Sequence, residues 1–164
     1  MTKEFWPPDE TFQFLQGFVL DKWKERAAET GRPEPSDLTS ACKFASLFTY
    51  AALGAPPAGN HGHQFNVMDG KIFDLCAGSA DIAAMPDAYR HEPSFWGNAE
   101  HVESVNSCLP RVEKWVAEFH AIAGASSPPA KIDMQAFWRE ETTLLSSKKQ
   151  DSSKTPAPGR DFNR

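Results

Sequence analysis

Apolar residues recur at three- and four-residue steps over the first third of the chain, then at two-residue steps before its middle. Helices are therefore expected first and strands after them. Phe12, Leu15, Val19, Trp23 and Ala27 mark one face of a helix from Asp9 to Thr30. Pro7 and Pro8 precede it, Asp9 is placed to cap it, and Gly31 followed by Arg-Pro-Glu-Pro at 32–35 stops it. A second stripe, Ala41, Ala45, Phe48 and Ala52, predicts a helix from about Ser40 to Leu53. Ser36, Thr39 and Ser40 are its candidate caps and Gly54 its natural stop. Residues 55–60, Ala-Pro-Pro-Ala-Gly-Asn, read as a loop.

The strand signal is concentrated at 63–76, where HQFNVM and KIFDLC flank Asp69-Gly70, the dipeptide preferred by two-residue type I′ turns. That turn would set Met68 opposite Lys71, Val67 opposite Ile72, Phe65 opposite Asp74 and His63 opposite Cys76. With period-two alternation, these residues except Met68 and Lys71 share one face, and His63 and Asp74 become diagonal neighbours. Residues 77–93 carry no clear period, and any third strand is expected from 77–95. Asn98 is placed to cap a helix reaching Cys108; Pro110 is expected to break or restart it, with Val112, Trp115, Val116 and Phe119 carrying the apolar face on to Gly124. A last short helix is predicted over 131–145. From Ser146 onward Ser, Lys, Pro and Asp dominate, and such a segment buries too little to offset its ordering entropy. The expected organisation is one α+β domain over 1–145 with a disordered tail over 146–164. Its core is a small antiparallel sheet packed on the central helix that bears Cys42, with additional helices around.

Composition narrows the function classes. Net charge is −5, with no basic stripe interleaved with aromatics, which argues against nucleic-acid binding because that affinity comes from Lys and Arg neutralising phosphates. No apolar run approaches the roughly 20 residues of a membrane span, and the N-terminus has no secretory-signal pattern. Three Cys at 42, 76 and 108 match no disulfide module. The expectation is a cytoplasmic protein without cofactor or membrane partner, with signal-less export left open.

The candidate chemistry lies in Cys42, His63 and Asp74. A Cys in the first turn of a helix meets amide N–H groups and the positive end of the dipole, a setting that favours a thiolate nucleophile. An imidazole beside it serves as base and acid, and a carboxylate fixes the tautomer of that imidazole. The N–H of Cys42 is one candidate oxyanion donor, and Gln64, Asn60 and Asn66 are candidates for a second donor or a substrate contact. Two other readings use the same residues. Cys42 can be a small buried apolar residue in a binding, adaptor or immunity-type module. Alternatively, His61, His63, Cys76 and Cys42 can supply a zinc site.

The stretch SACKFASLFTYAALG, a loop, then GHQFNVMDGKIFDL resembles the core of papain-like and transglutaminase-like cysteine enzymes, in which a Cys opens a helix and His and Asp follow on adjacent antiparallel strands. The pattern H-x-F-N-x-x-D-G-x-x-x-D-L at 63–75 is similar to small bacterial proteins of the YunG-like type. The resemblance covers about residues 36–80. It implies a papain-like core with Cys42 as nucleophile, His63 as general base and acid, and Asp74 as the orienting group. The implied reaction is thiol acyl transfer on an amide of a protein or peptide: proteolysis, deamidation or transglutamination.

Overall fold

The computed structural model describes residues 3–123. The first helix, α1, spans Glu10–Glu29, and the Asp9 carboxylate accepts from the Phe12 N–H at 2.9 Å as its cap. The apolar face read from the sequence is buried, with Phe18 added to it. The second helix, α2, spans Cys42–Leu53 and starts two residues later than the sequence suggests. Ser40 is the reason: its backbone sits at φ +65°, outside the helical region, and its N–H donates to Asp81 at 2.9 Å. None of Ser36, Thr39 or Ser40 caps the helix, which has no side-chain cap at all.

The hairpin forms in the expected register. Strand β2 (Gln64–Met68) pairs antiparallel with β3 (Lys71–Phe73), Met68 opposite Lys71 and Val67 opposite Ile72. Asp69 and Gly70 both have positive φ, as a type I′ turn requires. The ladder ends at Asn66 opposite Phe73, however. Past it the chain turns, with the Ala77 N–H on the Asp74 carbonyl and the Ser79 N–H on the Cys76 carbonyl, so Cys76 does not extend the pairing to His63.

The third strand comes from the other side of the hairpin. Residues 77–95 form no strand; they hold a one-turn helix, α3 (Ala80–Ala83), and the start of a 3-10 turn at Pro93–Gly97. Instead β1 (Pro57–Gly59), within the Pro-rich stretch read as a loop, pairs antiparallel with β2, giving the order β1-β2-β3. Pro57 is tolerated because β1 is an edge strand. Gly59 is required: it lies at φ +152°, and a Cβ there would stand 2.3 Å from the His63 carbonyl oxygen. On the far edge, Trp6 N–H donates to the Ile72 carbonyl at 2.8 Å and Ile72 N–H donates to the Glu4 carbonyl at 2.9 Å, so residues 4–6 lie along β3.

The last described helix, α4, runs unbroken over Ala99–Ile122 with Pro110 inside it, where the sequence suggests a break. Proline removes one helical hydrogen bond, but Pro110 is exposed and the buried row Val105, Cys108, Val112, Trp115 and Val116 continues across it. That row packs on α2. Phe18 of α1 stacks on Phe48 of α2 at 5.4 Å, and Phe44 and Phe48 meet Trp115 and Phe119 of α4 at 5.6 and 5.5 Å. The sheet lies against α2 through Asn66, whose amide donates to the carbonyls of Ser46 and Ala55. The Cys42 helix is thus central, and residues 3–123 are an α+β unit of four helices and a three-stranded antiparallel sheet. Among the described residues no helix is long and apolar enough to cross a membrane. The helix expected over 131–145 and the tail expected over 146–164 lie outside the described residues.

Candidate active site

Cys42 is the first residue of α2 and is partly exposed, whereas Cys76 and Cys108 are buried. The first helical bond of α2 runs from the Ala45 N–H to the Ala41 carbonyl at 2.9 Å. With no side-chain cap, the N–H groups of Cys42, Lys43 and Phe44 have no acceptor among the described residues. These are the amides that a helix N-terminus presents to an anion. Burial pushes the thiols of Cys76 and Cys108 up, that of Cys76 well above the usual range, which keeps both protonated and inert.

His63 sits in the short loop leading into β2, and its ring is almost wholly buried. Its Nε2 lies 2.8 Å from Asp74 Oδ2. Its Nδ1 makes no fully formed hydrogen bond, and the Cys42 thiol is the second group that acts on the ring. Such thiol–imidazole contacts are commonly loose before substrate binds. Burial lowers the basicity of the ring, but the hydrogen bond with Asp74 and the nearby Cys42 thiol outweigh it, and the His63 pKa is pushed up to about 9.

Asp74 follows β3 directly and is buried. Its Oδ1 accepts from the Cys76 N–H at 2.9 Å, a local Asx-type bond. Its Oδ2 accepts a second hydrogen bond, from the Tyr89 hydroxyl at 2.8 Å. The Tyr89 ring also stands edge-on to His63, with centroids 5.6 Å apart at 82°, while Phe65 covers His63 from another side at 5.9 Å. Burial and the Asp74 charge push the Tyr89 hydroxyl up, so it remains a donor. Sequence reasoning missed Tyr89. It lies in the stretch without periodicity, and the only hint was that the chain has just two tyrosines.

The three candidate amides are used differently. The Asn60 Oδ1 accepts from the N–H groups of Gly62 and His63 at 2.8 and 3.1 Å. Its Nδ2 donates to the carbonyls of Ala88 and Arg90. It therefore ties the His63 loop to the Tyr89 segment and has no donor to spare for an oxyanion. Asn66 is likewise committed to the Ser46 and Ala55 carbonyls. Both correct the sequence reading. Gln64 differs: its side chain is buried, and neither Nε2 nor Oε1 has a partner among the described residues. His61 is exposed and meets the Phe95 ring at 6.0 Å. Among the described residues no group of three or more His, Cys, Asp or Glu side chains is placed to share a metal ion, so the four zinc candidates do not gather.

A comparison with protein-family models, curated proteins and solved structures found no match.

Proposed function

We propose that this protein is a cysteine-dependent acyl-transfer enzyme on a papain-like core, acting on an amide carbon of a protein or peptide. One observation carries the reading. A partly exposed thiol opens a helix whose first amides are unbonded, and it acts on an imidazole whose far nitrogen is held by a buried carboxylate.

With Nε2–H donated to Asp74, Nδ1 is the nitrogen that faces the thiol, and a ring protonated up to about pH 9 sets an imidazolium beside the attacking sulfur. The Cys42 sulfur then forms a bond to the amide carbon, and the negative charge on the carbonyl oxygen falls to the Cys42 N–H. Gln64 Nε2, the one candidate amide not committed elsewhere, is the available second donor. His63 returns its proton from Nδ1 to the leaving nitrogen, the C–N bond breaks, and a thioester to Cys42 remains. An incoming water or amine then gives a proton to His63 and displaces the sulfur, which recovers that proton. Hydrolysis, deamidation and transglutamination differ only in the acceptor and in which amide is attacked. Asp74 holds the tautomer and balances the imidazolium charge, and Tyr89 holds Asp74.

Iodoacetamide labelling at graded pH, read by mass spectrometry, tests this. Cys42 is expected to react below about pH 7.5, ahead of Cys76 and Cys108, and to slow at least about tenfold in His63→Ala. A Cys42 that stays inert in the folded wild type rejects the enzyme.

One observation favours a second reading, a binding or adaptor module on the same scaffold: His63 is only 1% exposed. A Cys42→Ala variant that keeps the full cellular effect of the protein would select it.

A further inference from the structure

A cavity of about 250 Å³ lies beside the N-terminus of α2, lined by Trp23, Arg26, Arg32, Pro33, Thr39 and Ser40 among others. It is smaller than the roughly 300–1,000 Å³ that encloses a drug-sized ligand and suits a single side chain. Cys42 does not line it. Ser40 does, and two residues of chain reach at most about 7 Å, so the rim of the cavity stands that close to the Cys42 Cα.

Its charge is unusual for this molecule. Four arginines fall within the described residues. Arg90 and Arg111 each hold a glutamate, Glu92 and Glu29. Arg26 and Arg32, the two that line the cavity, make no direct ion pair with a carboxylate among the described residues. Of the acids near them in sequence, Glu25 pairs with Lys22, Glu34 with Lys24 and Glu29 with Arg111, although Glu29 also lies close enough to feel the Arg26 charge. Arg26 is also held in place, its guanidinium 5.2 Å from the Trp23 ring centre and 5.0 Å from that of Phe44. Such stacking fixes the planar fork in the orientation that binds an oxyanion, at less entropic cost than a loose side chain. The chain as a whole carries −5, so this is a local positive site on an acidic protein.

We propose that this cavity is the specificity subsite of the Cys42 centre, and that Arg26 and Arg32 there take the carboxylate of an Asp or Glu side chain next to the attacked amide, making acidic peptides the substrate class. The proposal rests on the acyl-transfer reading and adds its selectivity.

Two isosteric electrophiles test it: the α-amides of N-chloroacetyl-glutamate and N-chloroacetyl-glutamine. Each loses chloride as the Cys42 sulfur forms a thioether, followed by mass spectrometry of the full chain. The glutamate probe is expected to label about tenfold faster, the size of one well-placed charge pair. The ratio should fall toward one in Arg32→Gln, in Arg26→Gln and in 1 M salt, where the screening length is about 3 Å. Arg26→Lys should restore only part of it, because the ammonium lacks the fork. Arg32 is exposed, so its variant keeps the test valid even where Arg26→Gln unfolds the protein. Equal rates for the two probes, or a preference that survives both glutamine variants, overturns the subsite while leaving a reactive Cys42 intact. A phosphoserine analogue that outpaces the glutamate probe overturns the carboxylate assignment in favour of a phosphate. No labelling by either probe removes the acyl-transfer reading and the subsite with it.

Discussion

Asp74 accepts three hydrogen bonds through two oxygens, from His63, Tyr89 and the Cys76 amide, and so cannot rotate without breaking one of them. Tyr89→Phe keeps the ring that packs on His63 and removes only the hydroxyl. The expected cost is about 1.5–3 kcal/mol in urea unfolding, typical of a hydrogen bond to a charged group, with slower but measurable Cys42 labelling. Asp74→Asn goes further, because an amide can turn an N–H toward Nε2 and force the proton onto Nδ1; labelling should fall by more than about tenfold. The meeting of His63 with Asp74 and the place of Cys42 at the start of α2 were legible in the sequence, because they follow from the hairpin turn and the helical period. Tyr89 was not, since its bond to Asp74 spans fifteen residues that follow no period. The choice among Asn60, Gln64 and Asn66 was equally hidden, because it depends on which carbonyls each amide meets after folding.

Among the elements, the turn and register of the hairpin were legible, because Asp69-Gly70 fixes the register; where β3 ends was not, since the turn after Phe73 is set by local bonds at Asp74 and Cys76. Its neighbour β1 was not. A strand normally shows itself by alternation, and three residues ending in glycine show none. What makes 57–59 a strand is tertiary: Val67 N–H reaches the Pro56 carbonyl and Asn60 N–H reaches the His63 carbonyl, both at 3.0 Å. α4 teaches the same lesson in reverse, since packing against α2 carries the helix through a proline that local rules would let break it. Gly59 is where β1 and the site depend on each other. Gly59→Ala places a methyl group against the His63 carbonyl and strains a left-handed backbone. A loss of about 1–3 kcal/mol is expected, and with it slower labelling of Cys42, because the strand moved aside is the one next to His63. Thermal unfolding and alkylation of the same sample check both.

For the whole molecule, the α+β class was legible because two helical periods and one hairpin suffice to define it. The wrapping of α1, α4 and the sheet around α2 was not, because aromatic contacts such as Phe18–Phe48 join residues far apart in the chain. The site also couples to global stability. His63 has a raised pKa of about 9 in the fold and an ordinary value of 6.5 outside it, so the folded state holds the extra proton between those limits. Its contribution is complete below about pH 6.5 and is lost as the pH climbs through about 9, on the order of 3 kcal/mol. Cys76, whose thiol is also pushed up, extends the decline at still higher pH. Urea midpoints from pH 6 to 9.5 should trace that fall, and Asp74→Asn should flatten it below about pH 9. The sheet has a separate consequence. On one side Ile72 already spends its outward N–H on the Glu4 carbonyl and its carbonyl on the Trp6 N–H; on the other, Gly59 is engaged by His91 and Glu92 beside a proline that has no N–H to give. Among the described residues both margins of the three-stranded ribbon are thus occupied, the arrangement that keeps a strand edge from serving as a template for another chain.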